Sequence, residues 1–201
     1  MINKQKIGII GGSFDPVHNA HIKLALHAYK ELQLDKVIFI PAYIQPFKKD
    51  KKVTDEVHRM NMLKLGIEEY PCFEVSDIEI QMQGNSYTAR TLTVLSDEYS
   101  DMVFIMGADS YMSLDRWYHP EIIFEKAEIA CAVRDDSDLE LLRAKSHEYE
   151  EKFKGVTHFL NMPRTDISST EIREKVAKDE DMGDLLPVKV LDYIKEHKLY
   201  G

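Results

Sequence analysis

Residues 6–22 run Lys-Ile-Gly-Ile-Ile-Gly-Gly-Ser-Phe-Asp-Pro-Val-His-Asn-Ala-His-Ile. The apolar run Ile7 to Ile10 has the length and β-branching of a buried strand. Gly11 and Gly12 follow at once, where the chain turns and a side chain would obstruct something. Pro16 suits a turn or a first helical position. His18 and His21 stand three apart, so on a helix they share one side. Strand, glycine turn and helix opening together bring backbone N–H groups and a helix N-terminus to a phosphate, and the two imidazoles point into that same space.

Working outward, Ile22, Ala25, Leu26, Tyr29 and Leu32 recur at helical spacing, and that helix should end near Gln33. Lys36 to Ile40 is a second buried strand, stopped by Pro41. Strand, helix and strand in so short a length make a βαβ unit with parallel pairing and a right-handed crossover. Tyr43 to Val53 is a loop carrying Lys48, Lys49, Lys51 and Lys52. Most of that cluster reads as a solvated loop. Lys48 lies just past a strand's carboxyl end and is the best placed of the four to reach a ligand. Thr54 or Asp55 can cap a helix whose inner face is Val57, Met60, Leu63 and Ile67. Phe73, Val75, Ile78 and Ile80 form a third strand region. After the turn at Gly84-Asn85, Ser86 or Thr88 opens a helix that runs to Tyr99.

Met102 to Met106 is as apolar as a central parallel strand and runs into Gly107-Ala108-Asp109-Ser110. Ile129 to Val133 is a fifth strand ending at Arg134, Asp138 to Lys154 a charged helix, and Val156 to Leu160 a sixth strand. A helix opens within Thr165 to Arg173, and Pro187 starts a last one. With no repeat, low-complexity tract or linker, residues 1–201 are expected to form one domain, its C-terminal helical part spanning about 165–201. The fold class is α/β: a doubly wound, Rossmann-like parallel sheet with helices on both faces.

Composition agrees with a soluble globular chain: 44% apolar and 30% charged residues over 201 positions. The net charge of −9 argues against bulk nucleic-acid binding, which wants a basic face. Cys72 and Cys131, the only cysteines, read as thiols of a reducing compartment. No apolar stretch reaches the ~20 residues a membrane helix needs. A cytoplasmic location, without nucleic acid or membrane as partner, is the expectation, and homo-oligomer formation is left open.

Doubly wound sheets bind ligands beyond the carboxyl ends of their strands. Gly11-Gly12, Lys48, Gly107 to Asp109 and Arg134 all fall just past such ends. The opening motif is neither G-x-G-x-x-G nor a Walker A loop. His18 and His21 lack the glutamate and third ligand of a zinc site. Ile167-Ser168-Ser169-Thr170-Glu171-Ile172-Arg173 fits a capping box from Ser168 to Glu171. Its three consecutive hydroxyls, free N–H groups and Arg173 one turn in make an equally good anion site.

These two motifs together resemble the nucleotidylyltransferase superfamily of HxGH-type enzymes, and within it the bacterial nicotinate-nucleotide adenylyltransferases. Pro46-x-Lys48, His58-Arg59-x-x-Met62-Leu63, Ser86-Tyr87-Thr88, Gly107-Ala108-Asp109, Trp117-Tyr118, Arg134 and the closing Val190 to Tyr200 segment extend the likeness over nearly the whole chain. Ala20, Phe47 and Arg90 depart from it, standing where members often carry glycine, histidine and an acid.

The resemblance implies that ATP and nicotinate mononucleotide give deamido-NAD and pyrophosphate. It implies catalytic roles for His18, His21, Lys48 and Arg173. It puts ATP against Gly11, Gly12, Ser13, Phe14, Gly107, Asp109, Ile167, Ser168, Ser169 and Thr170, as well as the two histidines and Arg173. It puts the mononucleotide against Asp15, Lys48, Tyr87, Thr88, Trp117 and Arg134. Mg²⁺ would be carried by the ATP phosphates, with no protein metal site. The rival readings are a sister transferase using nicotinamide mononucleotide, phosphopantetheine, FMN or a cytidylyl donor, and a non-catalytic nucleotide sensor. A dehydrogenase lacks its fingerprint here.

Overall fold

In the computed structural model of the chain, residues 3–46, 53–133, 136–163 and 167–201 are described. β1 (Asn3–Gly12) pairs in parallel with β2 (Lys36–Pro41) on one side and β4 (Tyr99–Gly107) on the other. β3 (Phe73–Val75) extends the sheet beyond β2, and β5 (Glu128–Val133) and β6 (Thr157–Asn161) extend it beyond β4. The order β3-β2-β1-β4-β5-β6 is all parallel. It is the doubly wound Rossmann-like order, whose direction of winding reverses between β1 and β4. A crevice therefore opens where the ends of those two strands, Gly12 and Gly107, diverge.

Apolar residues line both sheet faces, as a sheet covered by helices on each side requires. On one face Ile10, Val103, Ile105 and Ala130 pack under α1 (Asn19–Glu31), α2 (Glu56–Ile67), α8 (Ser169–Ala177) and α9 (Val188–Glu196). On the other, Ile7, Ile9, Phe104 and Ile129 pack under α4 (Thr88–Leu95), α5 (Ala108–Met112), α6 (Pro120–Lys126) and α7 (Asp136–Phe153). Gly8 sets the closeness of the first layer: a Cβ there would come within 2.7 Å of Leu34 Cδ1 and 2.8 Å of Ile105 Cδ1. Cys131 is buried and Cys72 half-buried, and neither is in a disulfide.

Two elements differ from the sequence expectation. The helix expected to run to Tyr99 ends at Leu95, and Tyr99 is already the first residue of β4. β3 ends at Val75, and Ile78–Met82 is a short helix, α3, rather than the end of a strand. The polar residues before it explain the change. The Ile78 N–H donates to Ser76 Oγ at 3.4 Å, and Gln81 Nε2 donates to Asp77 Oδ1 at 2.7 Å, so local side-chain bonds reward a turn. Elsewhere Asp55, not Thr54, caps α2 by accepting from the Val57 N–H. Ser86 does not cap α4 but accepts from the Tyr43 N–H, tying the turn before α4 to the end of β2. No helix among the described residues is long and apolar enough to cross a membrane.

Candidate active site

Gly11 and Gly12 are the last residues of β1 and Gly107 the last of β4, so the glycines sit inside the strand ends rather than beyond them. A cavity of about 630 Å³ opens over them, lined by Gly11, Gly107, Asp109, Ser110, Arg116 and His21 among others. That is ample for a nucleoside, since small-molecule sites run about 300–1,000 Å³. Gly11 and Gly107 leave their missing side chains on the cavity side. A Cβ on Gly107 would meet nothing within 4 Å, and one on Gly11 only the Phe104 ring at 3.8 Å.

His18 is the N-cap of α1 rather than a residue within it, and His21 stands in the first turn. Their rings stack with centroids 3.7 Å apart and planes inclined by 22°. The His18 backbone N–H donates to His21 Nδ1 at 3.3 Å. An Nδ1 that accepts leaves the ring proton on Nε2, so His21 presents a donor from its far side. Phe14, buried and held at φ 47°, sets an edge against the His21 ring at 5.0 Å. His18 is only 5% exposed, and burial pulls its pKa down from 6.5 to about 4. It is therefore neutral near pH 7. Its Nδ1 is buried and makes no side-chain hydrogen bond among the described residues.

The second motif arrives at the same loop. Ser168 caps α8, accepting from the Glu171 N–H at 3.1 Å, the first half of the expected capping box. Ser169 Oγ then donates to the Pro16 carbonyl at 3.0 Å, across 153 positions of chain. Arg173 Nη1 donates to the Asp15 carbonyl at 2.7 Å and Nη2 to Thr170 Oγ1 at 3.2 Å. Two of the guanidinium's five N–H donors are spent on orienting it, leaving the rest for an anion. The N-termini of α1 and α8 thus flank one loop, and each adds partial positive charge there. Ile167 packs against the core beneath. Two imidazoles, two helix tips and an oriented guanidinium thus gather at the switch point of the sheet, a donor set whose chemistry matches a polyphosphate.

A family model described as cytidylyltransferase-like matches residues 9–175. Over 198 residues the chain is 39% identical to a probable nicotinate-nucleotide adenylyltransferase of Lachnoclostridium phytofermentans and 40% identical to one of Clostridium tetani. In both cases 98% of this chain and 99% of the relative are covered. The chain belongs to the nicotinate-nucleotide adenylyltransferase family of nucleotidyltransferases. It is an enzyme of that class. A solved structure of Plasmodium falciparum nicotinic acid mononucleotide adenylyltransferase complexed with NaAD has the same fold, at a TM-score of 0.74. It is 23% identical, with 98% of this chain and 97% of that one covered.

Beside the larger cavity this family member has a smaller, more apolar one of about 90 Å³. The two share Gly11, Gln45, Phe104 and Trp117 in their walls. Trp117 is half-buried: its ring sets an edge against Phe104 at 6.3 Å while lining both spaces. Tyr87 and Thr88, at the start of α4, close the smaller cavity, and Tyr87 stacks on Tyr118 with centroids 4.2 Å apart. Lys48 and Arg134 lie outside the described residues. Asp15, expected at the mononucleotide, turns its carboxylate inward: Oδ1 accepts from the Tyr200 hydroxyl and Oδ2 from the Thr54 N–H.

Sequence reasoning passed over several lining residues. Glu79 is buried against the smaller cavity, and burial pushes its carboxyl above the usual range. Hydrogen bonds from Thr91, at 2.7 Å, and Ser86 work against that rise. Gln45 accepts from Ser13 Oγ and so ties the glycine loop to the end of β2. Tyr118, quoted with Trp117 in the family likeness but given no site role, lines the smaller cavity too. Glu79 gave no signal, because it sits in the segment expected to be strand. Among the described residues no group of three or more His, Cys, Asp or Glu could hold a metal ion.

Proposed function

We propose that this site transfers the AMP of ATP to nicotinate mononucleotide, giving deamido-NAD and pyrophosphate in NAD biosynthesis. The observation that carries the reading is the meeting of the His18–His21 pair and the Arg173 helix tip on the Asp15-Pro16 loop. Full-length kinship with curated relatives of that name supports the choice of acceptor.

The mononucleotide's phosphate is already an anionic nucleophile. One of its oxygens bonds to the α-phosphorus, the bond from that phosphorus to the bridging oxygen breaks, and the electron pair leaves with pyrophosphate. No proton must be removed and no covalent enzyme intermediate is needed. Catalysis is then positioning plus stabilisation of charge that grows in the transition state. His21, through Nε2–H, and neutral His18 donate to the triphosphate. Ser168, Ser169, Thr170 and Arg173 hold the β- and γ-phosphates and the leaving pyrophosphate. Gly11, Gly12, Ser13, Phe14 and Ile167 shape the bed for the nucleotide, and Asp109 accepts from the adenosine ribose. The divalent ion, Mg²⁺, enters with ATP as part of the substrate, because the triphosphate surroundings offer nitrogen and hydroxyl donors rather than the carboxylates it prefers.

The pyridine ring stacks on Trp117 in the smaller cavity. Its carboxylate meets Thr88 and the N–H groups at the start of α4, with Tyr87 beside it. Lys48 and Arg134 neutralise phosphate. The whole chain works as one catalytic domain, and its two unbridged cysteines suit the cytoplasm. The test is pyrophosphate release with ATP and a panel of acceptors: nicotinate mononucleotide, nicotinamide mononucleotide, phosphopantetheine and FMN. Release led by nicotinate mononucleotide is expected. Release led by another acceptor would move the protein to a sister activity, and none with any of them would mark a nucleotide sensor.

A further inference from the structure

The end of the chain reaches back to the phosphate loop. After α9 the chain folds over itself, the Leu199 N–H donating to the Ile194 carbonyl at 3.0 Å. Tyr200 then stands at φ 68°, in the left-handed region that non-glycine residues occupy at a cost. Its hydroxyl donates to Asp15 Oδ1 at 2.6 Å, across 185 positions. Asp15 is 4% exposed, and its other oxygen takes the Thr54 N–H at 3.2 Å. Arg59, 2% exposed, binds the same stretch, with Nη1 on the Ser13 carbonyl and Nε on the Thr54 carbonyl, each at 2.9 Å. The Asp15 side chain thus faces Tyr200 while its carbonyl faces Arg173.

We propose that Tyr200 is a positioning residue for adenylyl transfer: by holding the Asp15 carboxylate, it fixes the Asp15 carbonyl that aims Arg173 at the triphosphate. The inference rests on the reaction proposed above. Its physical basis is competition for one guanidinium. Arg173 lies close enough to the Tyr200 hydroxyl for its charge to act there. Remove that hydroxyl, and the buried carboxylate keeps one hydrogen bond, from the Thr54 N–H, beside the charge of Arg59, a less satisfied state. Arg59 is already committed to two carbonyls. Arg173 is the cation able to swing, and turning to the carboxylate takes it from the phosphates. The consequence falls on ATP, because Arg173 belongs to the helix tip assigned above to the triphosphate, and none of these groups lines the smaller cavity.

The experiment is calorimetric titration of the full chain with Mg-ATP and no acceptor, beside initial rates and thermal unfolding. Tyr200→Phe is expected to weaken ATP binding roughly tenfold, the scale of one lost hydrogen bond to a charged group. The KM for ATP should rise while that for the mononucleotide stays within about twofold. Adding Asp15→Asn should restore much of the ATP affinity, since a neutral amide does not attract Arg173. Tyr193→Phe is the control. It removes another hydroxyl from the same C-terminal region, one that faces His58 and Asn61, and should leave ATP binding unchanged.

Wild-type ATP affinity in Tyr200→Phe, an equal loss in Tyr193→Phe, or an equal rise in both KM values overturns the proposal. Should Tyr200→Phe fail to fold, Asp15→Glu displaces the same carboxylate and carries the same expectation and the same refutation. Wild-type pyrophosphate release is measured in parallel. Its absence would count against the reaction and not against the ATP titrations.

Discussion

His21 Nδ1 accepts the backbone N–H of His18 at 3.3 Å, while the two rings stack 3.7 Å apart. One short bond therefore sets the tautomer, aims the donor and keeps the pair together. Removing the ring of His21 should leave folding intact, because it is only half-buried and the core beneath it is complete without it. His21→Ala is expected to lower kcat by about 10²-fold or more, as loss of one transition-state donor does. Near-normal turnover in single-turnover assays would remove His21 from the mechanism.

Arg173 is held by the Asp15 carbonyl and Thr170 Oγ1, so its orientation exists before any ligand arrives. Arg173→Ala should raise the KM for ATP strongly, by roughly tenfold or more for a charge-assisted contact. Product inhibition by pyrophosphate should weaken in parallel. An ATP titration of the variant that overlays wild type would show that α8 does not hold the leaving group.

Burial keeps His18 neutral in the folded protein, with its pKa down from 6.5 to about 4. Below pH 6.5 the unfolded chain takes up a proton that the folded chain refuses. Stability is therefore lost as pH falls from about 6.5 toward 4, and this contribution levels off below that. At ~1.4 kcal/mol per pH unit, the loss is of order 3 kcal/mol. His18→Asn cannot titrate, so the difference in stability between wild type and variant should shift by that order across the window. Urea unfolding at several pH values measures it, and a gap constant with pH would refute the burial argument.

Much of this was legible from local pattern. Ile7 to Ile10 before two glycines, and Lys36 to Ile40 before Pro41, place β1 and β2 by β-branching and stop signals alone. Ser168 announced its cap through the Glu171 spacing. Contacts made only by folding were not legible. Tyr200 and Asp15 are 185 positions apart, and nothing periodic links them. Ile78 and Ile80 alternate as a strand would, yet Ser76 and Asp77 bend the chain first. The glycine at Gly107 was visible as a strand-end residue, but not that the space beside it is empty.

That empty space gives the sharpest separation of folding from function. Gly107 has φ −84° and ψ 162°, a conformation open to any residue, and a Cβ there would touch nothing within 4 Å. The protein's own packing thus places no demand for glycine at the end of β4. Replacing glycine with alanine at a compatible position trims the freedom of the unfolded chain and stabilises by about 0.4–1 kcal/mol. Gly107→Ala should therefore hold or slightly raise the melting temperature. Gly107 also lines the 630 Å³ cavity, where the nucleotide is expected to lie against the strand ends, so the methyl group is added at that wall. ATP affinity should then fall even as the fold gains. Calorimetric titration beside thermal unfolding reads both quantities on one sample. A variant that binds ATP as wild type does would mean that the nucleotide lies elsewhere in the crevice, away from the carboxyl end of β4.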